Sequence, residues 1–229
     1  MSLLRRSQSL LMPLCLVASS AWAVSLADLS NADAGNGLKA ALEQGAQAAV
    51  AQLGVENGFL NNEKVKIGLP DLLERARPLM KMTGRGQQLD DLVVSMNHAA
   101  EAAVPMAKPL LLGAVKSMSV TDAKNILTGG ESSVTDFFRE KTASQLQVKF
   151  LPVVKKVTDR ADLSAKFNGV VGQASKLGLK GQPASVEDYV TQRALAGLYT
   201  IIAEQEKAIR QDPLGSGSKI IGKVFGALR

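Results

Sequence analysis

Cysteine, histidine and aromatic residues are scarce in this chain, and each scarcity excludes a kind of chemistry. There is one cysteine and one histidine in 229 residues, and aromatic residues make up 4%. Because Cys15 lies in the N-terminal apolar run, the rest of the chain needs no disulfide and cannot form a thiol nucleophile or a thiolate metal site. So few aromatic rings leave little for bases to stack on, which argues against nucleic acid as a partner.

The first 23 residues have the pattern of a secretory signal peptide. A basic start at Arg5 and Arg6 precedes an apolar run over residues 10–18, and residues 21–23, Ala-Trp-Ala, fit a cleavage site. The apolar run is shorter than the roughly 20 residues that cross a bilayer, although an uncleaved anchor is the alternative. Cys15 follows Pro and Leu where a lipoprotein cysteine follows small residues. We therefore expect cleavage after residue 23 and a periplasmic protein.

Removal of that segment leaves a mildly basic chain. The full sequence has 27 basic and 21 acidic residues, so loss of Arg5 and Arg6 leaves 25 basic residues and a net charge of +4. Such a charge favours an anionic membrane surface or an acidic partner. The remaining residues, 24–229, are enough for one domain, or at most two, with a large core.

Apolar residues recur mostly at helical spacing, which predicts an all-α, single compact domain of about eight helices. Residues 57–70 are the least helical part, and we expect an irregular loop there with at most one short strand. Ser-Val-Thr-Asp occurs at 119–122 and again at 133–136, and Ser-Val-Glu-Asp occurs at 185–188. Each of the three predicts a capped helix N-terminus.

Five stretches between Leu29 and Phe225 together resemble one family. They are LSNADAGNGLKAALEQG, GFLNNEKVKIGLP, MNHAAEAAVPMAKP, DAKNILTGGESSVTDFFREKT and VEDYVTQRALAGLY. The family is an exported one of Gram-negative bacteria, catalogued as a domain of unknown function, the four-one-nine-seven family. The resemblance implies an exported helical protein and brings no established activity. Members of the family often carry Arg where this chain has His98, and this departure argues against a catalytic role for the histidine.

His98 and Glu101 are the candidate catalytic residues, since they are three apart and can pair on one helix face. At about 100° per residue His98 lies opposite the apolar face of its helix, which predicts a solvent-facing histidine or one hydrogen-bonded at a helix corner. Pro105 either kinks this helix or starts the next, and Lys108, before Pro109, is biased away from helix. A metal would need further carboxylate ligands, so we expect no metal and no cofactor.

A second candidate is the start of the helix near residue 133. Gly129 and Gly130 precede Ser132, and Arg139 lies nearby in the sequence. Free backbone amides at a helix N-terminus can hold a phosphate or a carboxylate. A helix stop, a turn and a cap explain the same residues.

Tyr189 and Arg193 are weaker binding candidates at the start of the clearest helix. The Tyr189 hydroxyl could line a pocket. A buried ring with a hydrogen-bonded tip is the more common arrangement.

The C-terminal segment, residues 218–228, predicts a basic amphipathic helix with the composition of an interfacial membrane helix. The alternative is that its apolar face docks on the domain, and the short Gly-Ser-Gly-Ser linker favours docking. The residues that would contact a membrane surface are Lys219, Ile220, Lys223 and Phe225.

These patterns favour a cell-envelope binding or interaction module over an enzyme. The expected partner is an envelope protein or a hydrophobic or lipid ligand, with peripheral membrane contact and no nucleic acid. The alternative is a hydrolase-like enzyme that uses His98 and Glu101 with unidentified partners.

Overall fold

Nine α-helices make up nearly all of the regular structure in the described residues. A computed structural model describes residues 31–160, 162–176, 185–215 and 217–226. The predicted signal peptide and the C-terminal end of the helix predicted over residues 218–228 lie outside these ranges. The helices are α1 (Asn31–Leu53), α2 (Asp71–Met82), α3 (Gly86–Ala103), α4 (Ala107–Lys116), α5 (Val120–Thr128), α6 (Ser133–Arg160), α7 (Leu163–Lys176), α8 (Val186–Gln211) and α9 (Lys219–Gly226).

The fold is all-α and forms a single domain, as the sequence predicts. Helices α1, α3, α6 and α8 form the centre, with α2 and α7 against α3, and α4, α5 and α9 against α1 or α6. The described ranges contain no strand, and residues 54–70 form an irregular loop with its turns between residues 54 and 65. In the same ranges no helix combines the length and the apolarity needed to span a bilayer.

The apolar faces predicted from helical spacing are the ones that are buried. On α1 these residues are buried at intervals of three and four: Leu38, Leu42, Ala46, Ala49 and Leu53. The largest side chains at the centre of the core are phenylalanines, namely Phe59, Phe138, Phe150 and Phe167. Small alanines on α1 and α3 let neighbouring helices approach closely, so the domain packs around few aromatic rings.

A corner connects α3 to α4, and it corrects one expectation. Pro105 lies in a 3-10 turn, Val104–Met106, between the two helices. Lys108, which we expected outside a helix, is helical, because α4 begins at Ala107. Pro109 then lies in the first turn of α4, where its missing N–H has no intrahelical acceptor to lose.

Two of the three predicted caps are present. Asp122 N donates to Ser119 Oγ at 3.0 Å and Ser119 N donates to Asp122 Oδ2 at 2.9 Å, a complete capping box. At the start of α8, Asp188 N donates to Ser185 Oγ at 3.1 Å. The copy at 133–136 opens α6 as predicted, but Ser133 does not cap it, because Ser133 is already helical and its hydroxyl donates to the carbonyl of Ile126 at 2.9 Å.

Candidate functional site

Glu101 is at the centre of a buried hydrogen-bond network. Its carboxylate accepts the backbone N–H groups of Asn57 at 3.1 Å, Phe59 at 3.0 Å and Leu60 at 3.1 Å. The same carboxylate lies 2.7 Å from His98 Nδ1. All four groups act as donors toward its two oxygens, so the side chain holds the 57–60 turn on α3.

Asn97 holds the other end of the irregular segment, residues 54–70, through backbone hydrogen bonds. Its Oδ1 accepts from Ile67 N at 2.8 Å, and its Nδ2 donates to Ile67 O at 2.9 Å. Asn97 and Glu101 are four residues apart and both are buried. Buried backbone groups of an irregular segment need hydrogen-bond partners. Polar residues on a helix that packs beside an irregular loop can supply these partners, and the sequence interpretation did not assign this role to Asn97 and Glu101.

His98 lies at the edge of this network and its side chain is 38% exposed. The predicted pairing with Glu101 is present. Because the carboxylate is an acceptor, we assign the proton to Nδ1, which leaves Nε2 as an acceptor. A carboxylate orients the histidine of a hydrolase triad in this way, but Glu101 is the one hydrogen-bond partner recorded for His98 in the described chain. In those residues no group of three His, Cys, Asp or Glu side chains could hold a metal ion.

Replacement of His98 by Gln is expected to change the free energy of unfolding by no more than about 1 kcal/mol, since the side chain is partly exposed and Glu101 keeps three backbone donors. Chemical denaturation of the mature protein measures this. Stoichiometric zinc in the purified wild type that is lost in the variant would contradict a neutral role.

Glu206 on α8 is a second buried carboxylate, and it occupies the predicted anion site. It accepts from the backbone N–H groups of Val134 at 3.0 Å and Thr135 at 3.1 Å, in the first turn of α6. Arg210 pairs with it at 3.0 Å and also donates to Ser133 Oγ at 2.7 Å. The amides that we predicted could hold a phosphate are therefore satisfied by a side chain of the protein itself.

The other residues predicted for that site turn away from these amides. Ser132 Oγ donates to Asp136 Oδ2 at 2.8 Å, and Arg139 pairs with Asp136 at 3.0 Å. The Arg139 guanidinium also lies 5.4 Å from the centroid of the Tyr199 ring. Gly129 ends α5 as its C-cap. The arrangement is a helix stop followed by a helix start, with the cap supplied from α8.

Tyr189 and Arg193 also stabilise the fold through contacts within the domain. The Tyr189 hydroxyl donates to the Gly68 carbonyl at 3.0 Å, which ties the end of the 54–70 loop to α8. The Arg193 guanidinium lies 5.2 Å from the centroid of the Tyr189 ring, at the distance of a cation–π contact. The hydroxyl has a hydrogen-bond partner, as in the second of our two interpretations, but the ring is only partly buried.

Glu187 connects three helices and has a perturbed pKa. Burial alone would raise the pKa of this carboxyl group, but hydrogen bonds from Ser164, from its own backbone N–H and from Thr158 outweigh burial, so the pKa is lowered. A depressed folded-state pKa stabilises the fold fully at pH values above the ordinary glutamate range. That contribution is lost as the pH falls through the folded-state pKa.

Glu187→Gln is therefore expected to flatten the acid limb of the stability-against-pH curve, while the wild type loses stability steadily below the ordinary glutamate pKa. Denaturation midpoints measured from neutral pH downward test this. Glu63→Gln is the control, since the Glu63 side chain is 86% exposed in a surface pair with Lys66 and its loss should leave the curve unchanged. Parallel curves for wild type and Glu187→Gln would refute the assignment.

Helix α9 docks on α1, in agreement with the alternative that we favoured. Ile221, Val224 and Phe225 are buried, and Ile220 is partly buried. Phe225 closes a small apolar cleft between α1, α6 and α8 and lies 5.7 Å from the Arg210 guanidinium. Two of the residues considered for membrane contact are therefore turned at least partly inward.

Lys219, the first residue of α9, is exposed, whereas the side chain of Lys223 lies outside the described part of the structure. Because α9 is docked on the domain, the Phe225 ring is buried and does not face a membrane.

Gly37 on α1 sets how closely α9 approaches. A Cβ there would lie 2.4 Å from Val224 Cγ2 and 2.9 Å from the Ile220 carbonyl oxygen, whereas a Cβ at Gly35 would meet nothing within 4 Å. Gly37→Ala is expected to destabilise the protein by about 1–3 kcal/mol and to accelerate amide exchange in α9. Gly35→Ala, the matched control, should be neutral or stabilising by up to about 1 kcal/mol. Equal behaviour of the two variants in denaturation and exchange would contradict the docking.

An exposed face of α6 combines aliphatic and basic side chains. Val148 is 74% exposed and Leu151 is 37% exposed, and both lie among the exposed residues Lys149, Lys155 and Lys156. At 3.6 residues per turn these five residues fall on one side of the helix, and we call them the lysine face. No acidic residue occurs between positions 141 and 158. Within the described ranges no ion pair includes any of the three lysines.

The protein is thus a single all-α domain in which two buried carboxylates hold backbone amides of other segments of the chain. The sequence matches the family described as "Protein of unknown function (DUF4197)" over residues 28–226, nearly the whole chain. The protein belongs to that family, which confirms the resemblance seen in the five sequence stretches. Comparison with curated proteins gives no match, and comparison with solved structures gives none either.

Proposed function

We propose that the protein is exported to the periplasm and acts there as a binding module of the cell envelope. The observation that carries the proposal is the lysine face of α6, where Val148 and Leu151 are exposed to solvent among lysines that form no ion pair within the part of the chain that the structure describes. Scattered exposed apolar residues are normal on a surface. Aliphatic side chains grouped with charges of one sign are instead typical of a contact surface.

The engagement of Glu101 argues against the catalytic alternative. Its carboxylate accepts three backbone N–H groups of the 57–60 turn. Glu101 therefore stabilises the fold through the same oxygens that would orient a catalytic histidine.

Export is tested by the intact mass of the protein from a periplasmic extract. A chain that begins at Val24 supports the proposal. A species that retains residues 1–23, or one that carries a lipid on Cys15, would contradict it.

Binding is tested by a photo-crosslinking amino acid placed at position 148 in living cells. Val120, on α5, is the matched control position because it is 71% exposed and lies outside the lysine face. A discrete adduct with protein or lipid from position 148 and none from position 120 is expected. Equal or absent adducts at both positions would refute a binding role for this face.

The second candidate function is hydrolysis, and the 2.7 Å contact between His98 Nδ1 and Glu101 favours it. A serine hydrolase needs a hydroxyl nucleophile that His98 activates through Nε2. Covalent labelling of the purified protein by a fluorophosphonate, lost in His98→Ala, would establish this function. Absence of labelling in the wild type would exclude a serine nucleophile of this kind.

A further inference from the structure

We propose that the lysine face of α6 lies flat on an anionic lipid bilayer and that it is the membrane contact of this protein. The inference rests on the proposed binding function and assigns its partner. It places the contact on α6, whereas the sequence offered α9 as the membrane candidate, and the apolar residues of α9 are buried on α1.

The residue types of the lysine face favour lipid over an acidic protein. Cores of protein–protein interfaces are depleted in Lys, and their strongest contacts come from Trp, Tyr and Arg. The lysine face contains none of those three residue types. Lysines beside aliphatic side chains are the composition of helices that lie in a membrane interface, where the long lysine stems reach along the apolar boundary toward headgroups.

The charge of this face is uncompensated along most of its length. Among the described residues no carboxylate pairs with Lys149, Lys155 or Lys156, and the first acidic residue after them in the sequence is Asp159, three residues beyond Lys156. Near an anionic bilayer each lysine strengthens binding about fivefold. Three lysines together therefore account for a factor of about one hundred, and they set a strong dependence on salt.

The opposite side of α6 holds the face in place. Leu146, Phe150 and Val154 are fully buried and anchor the helix in the core. The helix has 28 residues and is roughly 42 Å long at 1.5 Å per residue, so it can lie along a membrane surface. Because the helix is already folded, binding does not have to order it, and the two aliphatic side chains need only a shallow insertion.

The test is cosedimentation of the mature chain, residues 24–229, with vesicles of phosphatidylethanolamine and phosphatidylglycerol. Binding is expected at low salt, with little binding to vesicles of phosphatidylcholine alone. Salt at about 1 M, where the Debye length is about 3 Å, should abolish it. Combined substitution of the lysine face, K149Q/K155Q/K156Q, is expected to weaken binding about one hundredfold.

A control variant with the same change of net charge distinguishes binding through the lysine face from binding through the overall positive charge of the protein. The variant K81Q/K108Q/K207Q removes three other exposed lysines without recorded ion pairs, on α2, α4 and α8. It should weaken binding less than threefold, and circular dichroism should show both variants folded. Val148→Ser with Leu151→Ser should weaken binding while leaving its salt dependence in place.

Equal losses in the two lysine variants, or equal binding to neutral vesicles, would overturn the proposal. Failure to bind anionic vesicles at low salt would also overturn it. If position 148 then crosslinks to a protein in cells, the binding function stands and only the lipid assignment falls. If position 148 forms no adduct either, both the binding function and the lipid assignment are refuted.

Discussion

Replacement of Glu206 by Ala is expected to lower the free energy of unfolding by about 3–5 kcal/mol, because it removes a buried carboxylate that accepts two helix amides and pairs with Arg210. The substitution removes the acceptor for the backbone N–H groups of Val134 and Thr135, and it leaves Arg210 facing the start of α6. Positive partial charge at a helix N-terminus then faces a positive side chain. Chemical denaturation with a fixed m-value measures the loss.

Glu204 provides the control on the same helix. It forms a surface ion pair with Lys64 at 2.5 Å, and such pairs contribute about 0–1 kcal/mol. Glu204→Ala should therefore cost less than about 1 kcal/mol. Similar losses for Glu204→Ala and Glu206→Ala would show that Glu206 does not act as the cap of α6.

Glu101→Ala is the second substitution with a large expected effect. It leaves three backbone N–H groups of the 57–60 turn without their acceptor, and each buried donor left unsatisfied costs about 1–3 kcal/mol. Partial exposure of Asn57 and Leu60 lets water replace part of this, so we expect a loss of about 3 kcal/mol. Amide exchange should accelerate most at Asn57, Phe59 and Leu60.

His98→Ala is the matched control for Glu101→Ala, because it removes one donor to the same carboxylate and leaves the three amides in place. Its effect on denaturation should stay within about 1 kcal/mol, and exchange in the turn should not change. If His98→Ala instead destabilises as much as Glu101→Ala, the histidine is the essential partner of this carboxylate and the loop is held by other contacts.

Features that depend on neighbours in the chain could be predicted from the sequence. Helical spacing predicted the buried face of α1, and the capping motif predicted the bonds between Ser119 and Asp122. The pairing of His98 with Glu101 also followed from a separation of three residues. Each of these contacts spans at most one helical turn, so local geometry decides it.

The two copies of Ser-Val-Thr-Asp show where local information ends. At 119–122 the serine caps its helix, whereas Ser133, in the identical motif, donates to the Ile126 carbonyl. The difference comes from Glu206, 72 residues away from Val134 in the sequence, which takes the helix amides. No property of the four residues themselves distinguishes the two positions.

Helical spacing in the sequence was enough to predict an all-α domain and the kind of apolar helix face that the core buries. The roles of the polar residues depend on how the helices pack against one another. Glu101 and Glu206 became loop and helix caps across 44 and 72 residues, and the exposed basic surface fell on α6 while α9 turned inward. This difference arises because the burial of a helix face follows from the spacing of that helix's own apolar residues. The partner of a buried carboxylate instead depends on which distant backbone groups lack a hydrogen bond when the helices pack.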